Sequence, residues 1–190
     1  MNVQTNLRMD KLTFLAWVQE RDQRYELDEG HVVMMTGGTR GHALMIRRLA
    51  AALERRLDGT VWSTLTSDFG IDLGPKTVRY PDLVVDVAGG SPQDLTATAP
   101  VLIAEVISPS SATDDLGDKA AQYLRLTSLA AYLVLAQDEP KAWVWVRGEA
   151  GFSPGPEVIG EGGAIRIASL GIELPLAEIY GAPSSGAAAG

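Results

Sequence analysis

The chain contains no cysteine. That excludes a disulfide framework, zinc-thiolate and iron–sulfur ligation and a thiol nucleophile, and it fits a reducing compartment. No window approaches the roughly 20 apolar residues that a membrane-spanning helix requires. Residues 1–20 carry no long apolar run behind a basic start, so a soluble, cytoplasmic protein with no membrane partner is expected. Positive charge is also short: 16 Lys and Arg stand against 24 Asp and Glu, for a net charge of −8. Phosphate affinity comes mostly from Lys and Arg, so a general electrostatic coat for nucleic acid is excluded while a local basic patch is not. Bound cations can still invert the sign of a site in an acidic chain. No internal repeat is found.

What is present is enough for one core. At 190 residues the length prior gives a single domain, spanning residues 1–180, and the Ala-, Gly- and Ser-rich residues 181–190 read as a disordered tail. Asp10 is placed to cap a short amphipathic helix bearing Leu12, Leu15 and Val18 near Phe14. Arg24 to Leu27, the turn Asp28-Glu29-Gly30, and His31 to Met35 read as a β-hairpin. A loop, Thr36 to Gly41, leads into a helix from His42 to Leu57 whose stripe is Ile46, Leu49, Ala50, Leu53 and Leu57. Arg48 and Arg55 share its outer face, with Arg47 and Arg56 nearby. Two readings stand for these arginines: an ordinary solvated face, or a phosphate-contacting patch for which Arg40, Arg47 and Arg48 are the candidates.

Strands follow at Val61 to Thr66 and Phe69 to Leu73, then, past a Gly74-Pro75 turn, from Tyr80 to Val87 and from Val101 to Ile107. Ser110 to Thr113 offer helix caps ahead of Asp114 and Asp115, and the helix they open should run to about Ser128 with Leu116, Ala120, Tyr123 and Leu124 as its stripe. Leu129 to Ala136 and Ala142 to Arg147 are two more strands. Trp143 and Trp145 share a face of the second, which suits sheet packing or a subunit contact better than base stacking. Short strands around residues 157–159 and 164–167 precede the closing segment, Leu170 to Tyr180.

The stretch from Tyr80 to Lys119 carries the chemistry. Side chains alternate faces along a strand, so Asp82 shares a face with Val84 and Asp86, and Glu105 with Val101, Ile103 and Ile107. A carboxylate on an apolar face needs a cation, a hydrogen-bond donor or a proton. If the two strands are neighbours with Asp82 level with Glu105, the pair suits a hard divalent cation, which takes one or two carboxylates plus waters. Lys119 sits at the edge of its helix stripe, roughly 60° from Leu116, and can lean toward the sheet, with Gln122 about one turn on. Read alone, Asp82 is a turn-capping carboxylate, Lys119 a helix partner for Asp115, His42 a core histidine and Glu26 a solvent-facing hairpin residue. Glu105 has no such ordinary account.

Pro81-Asp82 followed by Glu105-Val106-Ile107 resembles the PD-(D/E)xK signature of restriction-endonuclease-like nucleases, with Ile107 where a lysine usually stands. Over residues 9–180 the chain is similar to one branch of that superfamily, the Uma-two restriction endonucleases. The segments that carry the likeness are Arg24-Tyr25-Glu26-Leu27 with Gly30, His42 opening a helix, Pro81 to Val85, Glu105 to Ser110, Asp115 through Lys119 to Tyr123, and Gly171 to Leu176. The resemblance implies an α/β fold, a mixed β-sheet flanked by helices with an N-terminal helix and β-hairpin. It also implies hydrolysis of phosphodiester bonds in DNA with Mg2+ or Mn2+, by a homodimer. By the same resemblance Asp82, Glu105 and the Val106 carbonyl would hold the metal. Lys119 would replace the motif lysine, Gln122 would position a water or phosphate oxygen, and Glu26 and His42 would be accessory positions. Two rivals are a silent binding module on the same fold and a self-assembling module that uses the Trp143/Trp145 strand face.

Overall fold

A computed structural model describes residues 3–107 and 116–181. The expected caps at Ser110 to Thr113, the acids Asp114 and Asp115, and the tail from residue 182 onward lie outside the described residues. The element that positions everything else is a six-stranded sheet in the order β11-β10-β9-β8-β7-β4. Its strands are β4 (Trp62–Thr66), β7 (Leu83–Val87), β8 (Leu102–Ile107), β9 (Ala131–Ala136), β10 (Ala142–Val146) and β11 (Glu157–Ile159). Every pair is antiparallel except β8 and β9, which run parallel, so the sheet is mixed as expected. A parallel pair needs a long crossover, and the segment after β8 provides it, carrying helix α3 (Asp118–Tyr123).

Alternation divides β8 between two cores. Leu102, Ala104 and Val106 join the larger cluster, beneath α2 (Arg40–Glu54) and α4 (Leu176–Tyr180). Ile103 and Ile107 face the other way, with Val84, Ala120, Tyr123, Tyr132, Val134 and Trp145. Glu105 lies on this second face by parity, in the cluster that α3 covers. Trp145 is buried and stacks on Tyr132 with ring centroids 5.5 Å apart, and Trp143 is half-buried in the same cluster. That strand face is therefore packed inward, and the Trp145 side chain is not open as an assembly surface. On the opposite side β12 (Ala164–Ile167) and β13 (Ile172–Pro175) form a two-stranded sheet of their own.

A five-stranded sheet, β1-β3-β2-β6-β5, forms the N-terminal layer. The hairpin is present as β2 (Tyr25–Asp28) and β3 (His31–Met34), closed by two residues with φ of 49° at Glu29 and 84° at Gly30. Positive φ at both positions is what a type I′ hairpin turn demands, and it matches the twist of the flanking strands. β1 (Val3–Arg8), β5 (Ile71–Asp72) and β6 (Val78–Arg79) complete it. β1 and β6 were not expected: β1 is an edge strand whose Leu7 is exposed, and β6 is a two-residue strand that ends in an arginine.

Two helices depart from expectation. α1 (Lys11–Val18) is capped by Asp10, which accepts the Thr13 amide, yet its buried residue is Phe14, while Leu12 of the expected stripe is 76% exposed. Phe14 packs with Leu27, Val32 and Val78, so the short helix is turned by the aromatic residue that reaches the sheet. α3 ends at Tyr123 rather than near Ser128, because the chain turns away: Arg147 on the neighbouring strand end donates 2.6 Å hydrogen bonds to the carbonyls of Leu126 and Leu129. Those carbonyls are satisfied without another helical turn.

The N-terminal sheet meets helix α3 through Arg79. Arg79 is 1% exposed, and its guanidinium donates from Nη1 to Glu26 Oε1 at 2.8 Å, pairs with Asp28 at 2.7 Å and donates from Nε to Gln122 Oε1 at 3.0 Å. Charges taken this far from water are costly, and removing one partner leaves the other's desolvation uncompensated. Arg79→Ala is accordingly expected to lower stability by about 3–5 kcal/mol. Urea unfolding reads this as a lower midpoint at unchanged slope, and a midpoint equal to that of the parent would contradict it.

Candidate active site

Asp82 and Glu105 reach each other because of register. Leu83 pairs with Ala104 and Val84 with Ile103 across the antiparallel β7 and β8, so one step further along the ladder sets Asp82 opposite Glu105. The preceding Pro81 can give up its amide hydrogen there, since a strand's first position is where proline is tolerated. The two acids are then tied through main-chain groups. The Asp82 amide donates to Glu105 Oε2 at 3.3 Å, and Asp82 Oδ2 accepts the Val106 amide at 2.8 Å. Asp86, the other acid on this strand face, is buried but accepts the amides of Thr98 and Ala99 at 2.8 Å, holding the 88–100 connection rather than joining the site.

Glu105 is 5% exposed, and two side chains from one helix meet its Oε1. Lys119 Nζ donates at 3.2 Å and the Tyr123 hydroxyl at 3.3 Å. Positions four apart lie one above the other on a helix, which is why both reach the same oxygen. Lys119 is itself buried. Ile107, in the motif's usual lysine position, is buried in the apolar cluster instead.

His42 arrives from the start of α2, where Thr39 caps the helix by accepting the His42 amide at 3.1 Å. Its Nε2 lies 3.0 Å from Asp82 Oδ2. The hydrogen bond to Asp82 raises the His42 pKa above its ordinary 6.5, helped by the Asp82 charge and the Val106 backbone, against burial and the nearby Arg24 guanidinium, which lower it. The ring has little room: a Cβ built on Gly38 would come within 2.6 Å of His42 Nδ1. Arg24 stands beside this pair. It donates to the Ser67 carbonyl at 2.5 Å, and the Ser67 amide donates to the Asp82 carbonyl at 3.1 Å.

The expected site residues thus separate into groups. Asp82, Glu105, Lys119, the Val106 backbone and His42 come together. Gln122 and Glu26 do not touch the two acids: Gln122 bonds Arg79 and, from Nε2, Asp28 at 3.2 Å, and Glu26 is buried against Arg79 rather than solvent-facing. Arg40 and Arg47 are exposed. Arg48 donates to the Tyr180 carbonyl at 2.9 Å, and Arg55 and Arg56 both hold Glu178, so these three brace α4 rather than form an open patch. Sequence reading missed Tyr123, taken as stripe, and Arg24 and Arg79. For Tyr123 the signal was available, since it stands four residues beyond Lys119.

The donors present suit a divalent cation of the hard kind. Asp82 uses Oδ2 for both of its hydrogen bonds, and no described residue bonds Oδ1. Among the described residues no group of three or more His, Asp or Glu side chains is arranged to hold a metal. Two carboxylates with a backbone carbonyl is the sparse oxygen set that Mg2+, which keeps most of its waters, accepts.

Comparison with known proteins bears on the family and the fold. A family model described as "Uma2: Putative restriction endonuclease" matches residues 12–177. An uncharacterized protein of Synechocystis sp. is 28% identical over 128 residues, covering 65% of this chain and 66% of the relative, so the match spans just under two thirds of that relative's length. The crystal structure of a "putative nuclease belonging to DUF820" from Anabaena variabilis superimposes with a TM-score of 0.71 at 13% identity, covering 89% of this chain and 96% of the other. At that identity the likeness shows the fold. No described helix is long and apolar enough to cross a membrane.

Because the fold favours protonated His42, its contribution to stability is complete below the ordinary value of 6.5 and is lost as pH rises through the raised pKa. An NMR titration is expected to place the His42 midpoint above 6.5 and to return it toward that value in Asp82→Asn. Gly38→Ala should displace the ring and have the same effect. A midpoint unmoved by either substitution would contradict the assigned contacts.

Proposed function

Because the chain belongs to the Uma2 family, we propose that it is an endonuclease that hydrolyses phosphodiester bonds in DNA with Mg2+ or Mn2+ held by Asp82, Glu105 and the Val106 carbonyl. The observation that carries this reading is the meeting of three groups: two acids opposed across β7 and β8, with the Lys119 amine 3.2 Å from one of them. A cation bound there would polarise the scissile phosphate and acidify an attacking water.

The chain's own groups supply the rest. Lys119 places a positive charge beside the metal-binding acid, where it can orient the water and offset the charge that builds on the phosphate in the transition state. It thereby takes over what Ile107 cannot do. Tyr123 holds Glu105 in one rotamer by donating to the same oxygen. His42 and the Val106 amide both take Asp82 Oδ2 and leave Oδ1 as the ligand oxygen. Exposed Arg40 and Arg47 are the groups that would meet the phosphates flanking the cut, while Arg24, held by the Ser67 carbonyl and Asp68, and Arg48 are occupied. Two such contacts give a modest salt dependence, a slope of roughly −2 in log affinity against log salt. A cytoplasmic homodimer, offering one site to each strand of a duplex, belongs to the same proposal.

One observation favours a second reading. Lys119 and Glu105 already satisfy each other, so the same fold could hold nucleic acid without cutting it. Calorimetric titration separates the two readings, because only the nuclease reading requires Mn2+ binding that disappears in Asp82→Asn and Glu105→Gln.

In Mn2+, plasmid cleavage is expected to vanish in Asp82→Asn and Glu105→Gln and to fall by roughly 100- to 1,000-fold in Lys119→Met, with circular dichroism unchanged. Undiminished cleavage by Glu105→Gln would sink the assignment.

A further inference from the structure

We infer that Arg79 is the positioning residue of this site: acting through Gln122, it holds α3 in the rotation that sets Lys119 on Glu105. The inference rests on the nuclease reading for its kinetic consequence and on geometry alone for its mechanical one.

A lysine on a strand is placed by the sheet. One on a helix is placed only as well as the helix is, and α3 spans just Asp118–Tyr123, with Gly117 at its start and no side-chain cap. A helix this short does not persist by its own hydrogen bonds, so tertiary contacts must set its rotation. Ala120 and Tyr123 pack the helix onto the apolar cluster, and three side chains, Lys119, Gln122 and Tyr123, add the polar contacts that select its rotation. At ~100° per residue, Tyr123 lies about 40° to one side of Lys119 and Gln122 about 60° to the other. Tyr123 bonds Glu105 on the first side. On the second, Gln122 accepts from Arg79 Nε at 3.0 Å and donates to Asp28 at 3.2 Å, a two-point hold that fixes the amide's orientation.

The other end of the hold is rigid. Arg79 is clamped by Glu26 at 2.8 Å and Asp28 at 2.7 Å, both on β2, with Arg79 and Glu26 each 1% exposed. A planar guanidinium gripped by two carboxylates has little freedom left. The path from sheet to lysine is therefore Glu26 and Asp28, Arg79, Gln122, Lys119. It gives Glu26 and Gln122 a task although neither touches Asp82 or Glu105.

Arg79 variants threaten the fold itself, so the test uses Gln122→Leu, which breaks the hold, and the exchange Gln122→Glu with Asp28→Asn, which keeps an acceptor for Arg79, a hydrogen bond between positions 28 and 122, and the net charge. Full-length proteins are compared in Mn2+-dependent cleavage of a DNA duplex and in hydrogen–deuterium exchange of residues 116–124. Gln122→Leu is expected to lower kcat by roughly ten- to hundredfold with KM within about twofold, and to speed exchange in α3. The exchange variant should recover most of both. Parental kcat in Gln122→Leu, or parental exchange in α3, overturns the inference. If the parent protein itself cuts nothing, the nuclease reading fails and exchange decides alone: faster in Gln122→Leu but not in the exchange variant supports the hold, and equal exchange in all three, or faster exchange in both variants, overturns it.

Discussion

The contact between Lys119 and Glu105 is the one on which the rest of the molecule converges. A carboxylate on an apolar strand face would be costly to keep charged, and an ammonium buried under a short helix equally so. Each makes the other tolerable, and Tyr123 takes part of what remains. The crossover between the parallel strands β8 and β9 is what brings the helix over the acid. The arginine on β6 then anchors that helix to a different sheet. The site is thus not a decoration on a finished core. It lies where three layers of the fold are pinned together.

How much of this could be read beforehand depends on the range of the signal. Glu105 stood out because period-two alternation made its neighbours apolar, a local pattern that needs only seven residues. Asp82 followed once the strands were taken as neighbours, and the ladder places them so. Lys119 came from family likeness and helix geometry together. Arg79 left no such trace: its partners Glu26 and Gln122 are 53 and 43 positions away on separate elements. A charged residue at the end of a two-residue strand looks like a loop residue. The same holds for α1, where Leu12, Leu15 and Val18 formed a plausible stripe but the neighbouring sheet selected Phe14.

The arginines show why charge counting misleads at the level of residues. Arg48, Arg55, Arg56, Arg79 and Arg147 are engaged with carbonyls or carboxylates of the protein itself. They act as internal struts, tying α2 to α4, the N-terminal sheet to α3, and a turn to β10. In a chain already at −8, this thins the cationic surface further. Any attraction for a polyanion would reach outward only about one Debye length, roughly 8 Å at physiological salt.

The division of β8 between two cores also limits which changes of length the chain can absorb. Strand side chains alternate, so deleting or inserting one residue between Val101 and Glu105 would carry the acid to the side packed beneath α2 and bring an aliphatic residue out in its place. No substitution nearby could repair that. A change of one residue among the exposed positions 89–93 of the following connection, by contrast, is absorbed by loop closure at small entropic cost. Spacing in this strand thus decides which face Glu105 occupies as firmly as its identity decides its charge.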